Sequence, residues 1–466
     1  MDERFDMVVI GSGPAGEKAA AQAAYFGHRV AIVERERSPG GAAVKNAGIP
    51  TKTLRETALY VTGFRQRDVY GVGLQLEPHT ALMHLRSRTE QVVETMTAAV
   101  ADNIARHGIE LICGMGTLGP DRSVLVECDD GGTRRLQANV ILIATGSRPF
   151  HPPGISFDDS DVLDSENVIG VERPFRSVVV VGGGPVGCEY ASIFAALGVT
   201  VTLVDAAPRL LPFMDAEISN LAATSFRDMG MRVLLEAGQA SVARDAGGLR
   251  VTLASGETLC PEKILFAAGR AGNTETLGLA RAGIKTDERG RVLVDERFRT
   301  TAEGVYAAGD VIGPPALASV SMEQGRVAAC HAFGIPFKQT VDPLPTFGVY
   351  SIPEVAMVGL TEEAAAARGI DYEVGRAWFA HNTRATIAGA TDGVLKLVFR
   401  RDDRSLLGVH ILGGSAAELI HQGQAVLHFG GTIDYFIHTT FNVPTESEAY
   451  KYAAYDGLQR QARSSP

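Results

Sequence analysis

Two matched sets of three glycines are the residues of this 466-residue chain whose types and spacing most plainly serve a chemistry. The first set lies in Gly11-Ser12-Gly13-Pro14-Ala15-Gly16, and the second, 171 residues later, in Gly182-Gly183-Gly184-Pro185-Val186-Gly187. In such a turn the first glycine permits a tight bend, the second lets backbone approach a pyrophosphate, and the third lets helix and strand pack closely. The phosphates then sit at the positive end of the following helix. An acid stands 23 residues beyond the first glycine of each set, Glu34 in one case and Asp205 in the other. At that distance a carboxylate can accept hydrogen bonds from a ribose diol. Two copies with equal offsets imply two bound dinucleotides.

The elements that must hold these residues are legible around them. Met7 to Ile10 is an apolar run, Glu17 to Tyr25 an alanine-rich segment and Val30 to Val33 a second apolar run, which reads as strand, turn, helix, strand. The same order recurs in Val178 to Val181, Cys188 to Leu197 and Val199 to Val204. The fold class is therefore α/β, with two Rossmann-like dinucleotide-binding domains. A carboxylate at Asp205 suits the free 2′-hydroxyl of NAD, whereas a 2′-phosphate at 4 Å would meet a like charge costing about 4 kcal/mol at an effective dielectric near 20. Arg209, four residues on, could pair with that phosphate or cap the next segment.

Composition narrows the classes. The 44 basic and 54 acidic residues give a net charge of −10, and no basic run would track nucleic acid. The first six residues are acidic where a secretory signal would be basic, and the longest uncharged apolar stretch, Tyr190 to Val204, is short for a membrane span. Five scattered cysteines, Cys113, Cys128, Cys188, Cys260 and Cys330, read as buried thiols of a reducing cytoplasm, with no metal site. Val92, Val93, Met96 and Val100 recur at helical spacing within the polar stretch Arg55 to His107, and Ser147 to Arg176, rich in Pro, Asp and Ser, reads as a connector.

After Glu34 and Arg35 comes Gly40-Gly41-Ala42-Ala43-Val44-Lys45-Asn46-Ala47-Gly48-Ile49-Pro50-Thr51-Lys52, which resembles the flavin-facing segment of the pyridine nucleotide:disulfide oxidoreductases. Val140 to Ile143 run into Ala144-Thr145-Gly146, similar to the family's junction between its first domain and the flavin dinucleotide. Ile264 to Ala268 leading to Gly269-Arg270 resembles the exit from its nicotinamide domain. Tyr306-Ala307-Ala308-Gly309-Asp310, then Ala318 and a helix from about Met322 to Phe333, resemble the part that holds the ribityl and pyrophosphate groups of FAD. From about Pro343 the pattern resembles the family's α+β dimerisation domain. The resemblance implies FAD on Gly11, Gly13, Pro14, Ala15, Gly16, Glu34, Arg35, Gly40, Gly41, Ala42, Lys52, Ala144, Thr145, Gly146, Gly309, Asp310 and Ala318. It implies NAD(H) or NADP(H) on Gly182, Gly184, Pro185, Val186, Gly187, Glu189, Asp205, Arg209, Gly269 and Arg270. Lys52 would lie beside the flavin with Glu189 as its partner carboxylate, the pair tuning charge where hydride arrives and leaves.

The thiol-handling members carry two cysteines at the positions matched here by Ala43 and Gly48, and neither residue can hold a redox sulfur. Those members also carry a histidine before a proline near the C-terminus; here Val443 precedes Pro444, Glu448 remains, and His438 is out of register. Absence of both parts implies one missing function, so lipoamide, glutathione and mercuric substrates are disfavoured. Ser147-Arg148-Pro149-Phe150-His151-Pro152, Gly187-Cys188-Glu189-Tyr190-Ala191-Ser192-Ile193-Phe194, Gly269-Arg270-Ala271-Gly272-Asn273-Thr274 and Thr439-Thr440-Phe441-Asn442 resemble the family's transhydrogenating branch, which implies that NADPH would pass hydride to the flavin and leave, and NAD+ would bind and collect it. A quinone or dye reductase and a flavin- and nucleotide-binding redox sensor without turnover stand as alternatives. Expected domains are 1–149 and 273–342 for FAD, 150–272 for the nicotinamide nucleotide and 343–466 for dimerisation, in a cytoplasmic homodimer.

Overall fold

Valine, isoleucine and leucine runs without polar alternation demand strands covered on both faces, and a parallel sheet between helices supplies that cover. The computed structural model describes residues 3–63, 78–238 and 241–464. It divides into two compact units: residues up to Thr53 with Ser87–Phe150 and Gly269–Asp342, and Leu54–Arg86 with His151–Ala268 and the chain from Pro343 onward.

In the first unit, strand β1 (Glu3–Ile10) lies parallel between β2 (Val30–Glu34) and the long β5 (Thr133–Ile143). Strand β3 (Glu110–Leu118) extends the sheet beside β2, and β4 (Ser123–Cys128) joins β3 to β5 antiparallel. Val305–Ala307 pairs with the far edge of β5. Met7, Val8 and Val9 are fully buried, as two-sided cover requires. The helices Pro14–Tyr25 and Ala318–Phe333 pack so closely that a Cβ on Gly325 would overlap the Ala15 carbonyl. The second of these begins at Ala318, one turn before the expected start, with Leu317 as its N-cap.

In the second unit five parallel strands run in the order Arg232–Leu234, Thr200–Val204, Ser177–Val181, Lys263–Phe266 and Val162–Asp164. The last strand comes from the stretch expected as a connector. Three buried residues, Val162, Leu163 and Asp164, are enough to add an edge strand in a segment that turn residues otherwise dominate. The chain from Pro343 builds a five-stranded antiparallel sheet, and Gly375 in its strand Tyr372–Trp378 lets the helix Glu448–Ser464 lie directly on it. Two of its strands, Phe347–Val349 and Glu354–Gly359, are joined by a turn over Tyr350–Pro353. The polar stretch after Arg55 holds parts of two helices, Ile49–Thr62 and Pro78–Arg106.

A charge cluster lies inside this second unit. Lys396, 1 % exposed, donates to Asp215 at 2.8 and 3.0 Å and to Glu362 at 2.5 Å, and lies 3.0 Å from Glu217. Arg376 grips Glu217 through two nitrogens at 2.7 and 2.8 Å. Burial alone would push the Asp215 carboxyl up, but the charge of Lys396, with hydrogen bonds from Lys396 and the Glu362 N–H, outweighs it and holds it below the usual range. His410 is wholly buried: its Nε2 donates to the Leu360 carbonyl at 2.9 Å, its Nδ1 has no hydrogen-bond partner, and desolvation pushes its pKa down. Among the described residues no group of three or more His, Cys, Asp or Glu could hold a metal ion, and no helix is long and apolar enough to cross a membrane.

Candidate functional site: two glycine turns and their acids

Each glycine turn is built as its spacing predicts. Gly11 has φ +104° and Gly182 φ +118°, values open to glycine, and a side chain on either would overlap the carbonyl of Ala144 or Ala267 on the neighbouring strand. A Cβ on Gly16 would overlap the Gly11 carbonyl, and one on Gly187 the Gly182 carbonyl, so helix and turn touch through backbone alone. Gly13 and Gly184 are the N-caps of the helices that open with Pro14 and Pro185, and neither helix receives a side-chain cap. The first backbone N–H groups are thus left to whatever docks there.

The acids close the turns from behind. Glu34 accepts from the Ser12 N–H at 2.8 Å, the Ser12 hydroxyl at 2.5 Å and the Glu36 N–H at 3.0 Å. Asp205 does the same in the second unit, accepting from the Gly183 N–H through Oδ2 and from the Ala207 N–H at 2.6 Å through Oδ1. Arg35 is exposed beside Glu36.

Around the first turn, three further stretches converge. Gly41, at φ +58°, lies so near Gly13 that its Cβ would stand 2.7 Å from the Gly13 Cα, and Gly40 donates to the Ser12 hydroxyl at 3.0 Å. Gly309 abuts Ala15 and donates to Gln324 at 2.9 Å. Asp310 accepts from Ser147 at 3.0 Å and Ser321 at 3.3 Å. Thr145 and Asn273 exchange hydrogen bonds at 2.7 and 3.0 Å, fixing the Ala144-Thr145-Gly146 junction. Sequence reading missed Ser12, Ser147, Ser321 and Gln324. Ser12 was within reach, as the one hydroxyl inside the first glycine turn.

Gly269 and Arg270, expected with the nicotinamide nucleotide, group with the first unit. Arg270 donates to the Ser147 hydroxyl at 2.6 Å and carbonyl at 2.7 Å and lies 4.0 Å from Asp310. Lys52 belongs to the first unit and donates to Thr51 at 3.2 Å. Near it, Gly48 sits against Ala43, where an added Cβ would stand 2.7 Å from the Ala43 carbonyl oxygen and 3.3 Å from its Cα.

Glu189 belongs to the second unit, one turn into the helix Pro185–Ala196, and is 6 % exposed. The turn Tyr350–Pro353 holds it: the Tyr350 N–H donates to the Glu189 carboxylate at 3.0 Å, and the Ile352 N–H donates to Ser192 at 3.1 Å, whose hydroxyl donates to the Glu189 carbonyl at 2.9 Å. Ser192→Ala strands the buried Ile352 N–H. Chemical denaturation should show a loss of about 1–3 kcal/mol, and a variant as stable as the native chain would remove Ser192 from the clamp.

Each unit thus carries a glycine turn at the end of a parallel strand with an acid fixed behind it. The model for pyridine nucleotide-disulphide oxidoreductases matches residues 5–325 and that for their dimerisation domain matches residues 345–454; the chain belongs to this family. It is 44 % identical over 461 residues to the soluble pyridine nucleotide transhydrogenase of Mycobacterium tuberculosis (strain ATCC 25177 / H37Ra), covering 98 % of this chain and 97 % of that one. It is 40 % identical to that of Pseudomonas putida (strain W619), covering 98 % of both. Among solved structures it resembles the HOCl-induced flavoprotein disulfide reductase RclA from Escherichia coli, with a TM-score of 0.87 and 28 % identity over 97 % of this chain and 99 % of that one.

Proposed function

We propose that this protein is an FAD-dependent pyridine nucleotide transhydrogenase, in which one nicotinamide nucleotide gives up a hydride and a second collects it at the same site. The observation that carries this reading is the likeness to soluble transhydrogenases over 98 % of the chain, joined to two complete dinucleotide turns. FAD would be held in the first unit by Gly11–Gly16, Glu34, Gly40–Ala42, the Ala144–Gly146 junction, Gly309, Asp310 and Ala318. The turn fits it: a cradle that a Cβ would fill, an uncapped helix end, and an acid fixed behind. When bound, FAD supplies the two-electron carrier between the nucleotides. Gly182–Gly187 would seat each nucleotide's pyrophosphate, and Asp205 would take its ribose. Lys52 and Glu189 would each set charge beside the reacting atoms.

Ala43 and Gly48 offer no thiol, and Val443 stands before Pro444 where a base would serve one. Both facts favour direct exchange between nucleotides over disulfide reduction. The domains are read as 1–149 with 273–342, 150–272 and 343–466, the last pairing two copies into a homodimer in the cytoplasm. Steady-state oxidation of NADPH by purified protein, with thio-NAD+ in one cuvette and a soluble quinone in another, tests the reading. Fast thio-NAD+ reduction with parallel double-reciprocal lines is expected. Slow thio-NAD+ beside fast quinone reduction would make the protein a quinone reductase instead.

A further inference from the structure

An enzyme that takes both nucleotides at one site must accept a neutral 2′-hydroxyl and a 2′-phosphate dianion at the same place. The acid behind the second turn suits only the first. Asp205 is fixed by two backbone N–H groups, so its charge cannot readily swing aside. The loop after it folds back on the turn: the Leu211 N–H donates to the Gly183 carbonyl at 2.9 Å, and a Cβ on Gly183 would meet Leu210 at 2.6 Å and the Asp205 carboxylate at 3.0 Å. Arg209 is thus carried on the loop that leads from Asp205 back to the turn, two residues before its backbone contact with Gly183. It is engaged there. Its Nη1 lies 3.1 Å from the Glu363 carboxylate, and its Nη2 donates to the Pro212 carbonyl at 3.0 Å.

We propose that Glu363 governs the nucleotide preference of this site by holding Arg209, which it releases to a 2′-phosphate but not to a 2′-hydroxyl. The pair is open to solvent, Arg209 being 30 % and Glu363 43 % exposed, and ion pairs of that kind couple weakly. A phosphate dianion offers a guanidinium two charge-assisted bonds and outcompetes such a partner, whereas a ribose diol does not. Glu363 is itself steadied by the Ala216 N–H at 2.9 Å, so the arginine moves and the carboxylate stays. Glu363 comes from the helix Glu362–Ala367, far along the sequence from the nucleotide turn, which makes preference a property of two parts of the chain. The inference rests on reading the second turn as the nicotinamide nucleotide site.

The test uses the whole protein and two fragments that need no turnover, 5′-AMP and 2′,5′-ADP, titrated by calorimetry. Glu363→Gln keeps an oxygen for the Ala216 N–H and removes the ion pair. It should tighten 2′,5′-ADP about threefold to fivefold, the range a weak exposed pair allows, and leave 5′-AMP unchanged. Arg209→Ala should weaken 2′,5′-ADP at least about tenfold, as loss of a charge-assisted pair does, and in that background Glu363→Gln should have no effect. Equal changes for both fragments, or an unchanged 2′,5′-ADP affinity in folded Glu363→Gln, would overturn the proposal. If the native protein bound neither fragment, the nucleotide reading of the second turn would fall, and the proposal with it; slow thio-NAD+ reduction alone would leave this titration intact.

Discussion

Alanine at Gly187 should abolish nicotinamide nucleotide binding by disrupting the second turn, whereas alanine at Gly184 should weaken it without disturbing the chain. The two positions differ in what their side chains would touch. A Cβ on Gly187 overlaps the Gly182 carbonyl and lies 3.4 Å from Ala267, and since the overlapped atom is backbone, no side-chain rotation relieves it. Helix Pro185–Ala196 must move off its sheet, which costs about 1–3 kcal/mol, the scale of other overpacked cores. Gly184 has φ −78° and nothing within 4 Å of its Cβ, so alanine there fits the empty protein and meets only a bound pyrophosphate. Thermal melting and NADH titration on both variants check this. Gly187→Ala should lose stability and binding together; Gly184→Ala should melt with the native chain and bind NADH more weakly. Equal melting of both variants would refute the packing argument.

Lys396→Met is the second large effect, a loss of about 3–5 kcal/mol in denaturant unfolding. The ammonium is the shared partner of Asp215, Glu217 and Glu362, and without it Asp215 stays buried with backbone N–H partners but no bonded cation. Arg376 still holds Glu217, so the damage should centre on Asp215, the N-cap of the helix Ala216–Asp228. A loss below 1 kcal/mol would mean that the cluster is solvated. The same cluster sets a pH dependence. His410 is neutral in the fold with its pKa depressed, so as pH falls below about 6.5 the unfolded chain takes up a proton that the folded chain refuses. Stability should then fall with pH, by at most about 1.4 kcal/mol per unit from this residue. The Asp215 carboxyl is also depressed, but its contribution is lost only below about pH 3.9. Unfolding at pH 7 and 5.5 should therefore show a smaller difference in His410→Asn than in the native chain.

How far the sequence revealed all this depended on whether a constraint was local. Gly11, Gly16, Gly182 and Gly187 are dictated by contacts within a few residues or with the next strand, and their spacing carries that information. The α/β class followed from the same runs. Arg270 did not behave this way: its place beside Ser147 and Asp310 depends on where the chain re-enters the first unit, which no local pattern encodes. The Arg209–Glu363 pair spans 154 residues: Arg209 stands out from its distance to Asp205, but Glu363 reads in isolation as an ordinary surface charge. Lys396 stands among hydrophobics in the strand Val394–Arg400, and only the carboxylates gathered on it, Asp215 buried and Glu217 and Glu362 half-buried, explain why it is there. The edge strand Val162–Asp164 was hidden because three residues are too few to show a period.

The close seating of Gly48 on Ala43 acts as a ratchet. A cysteine at 48 would bring its Cβ to 2.7 Å from the Ala43 carbonyl oxygen, so no single substitution there can begin to rebuild a thiol pair without first displacing the backbone of its intended partner. An engineer seeking disulfide chemistry from this scaffold could place one sulfur at Ala43, which already carries a Cβ, but would have to remodel the loop before placing its partner at 48.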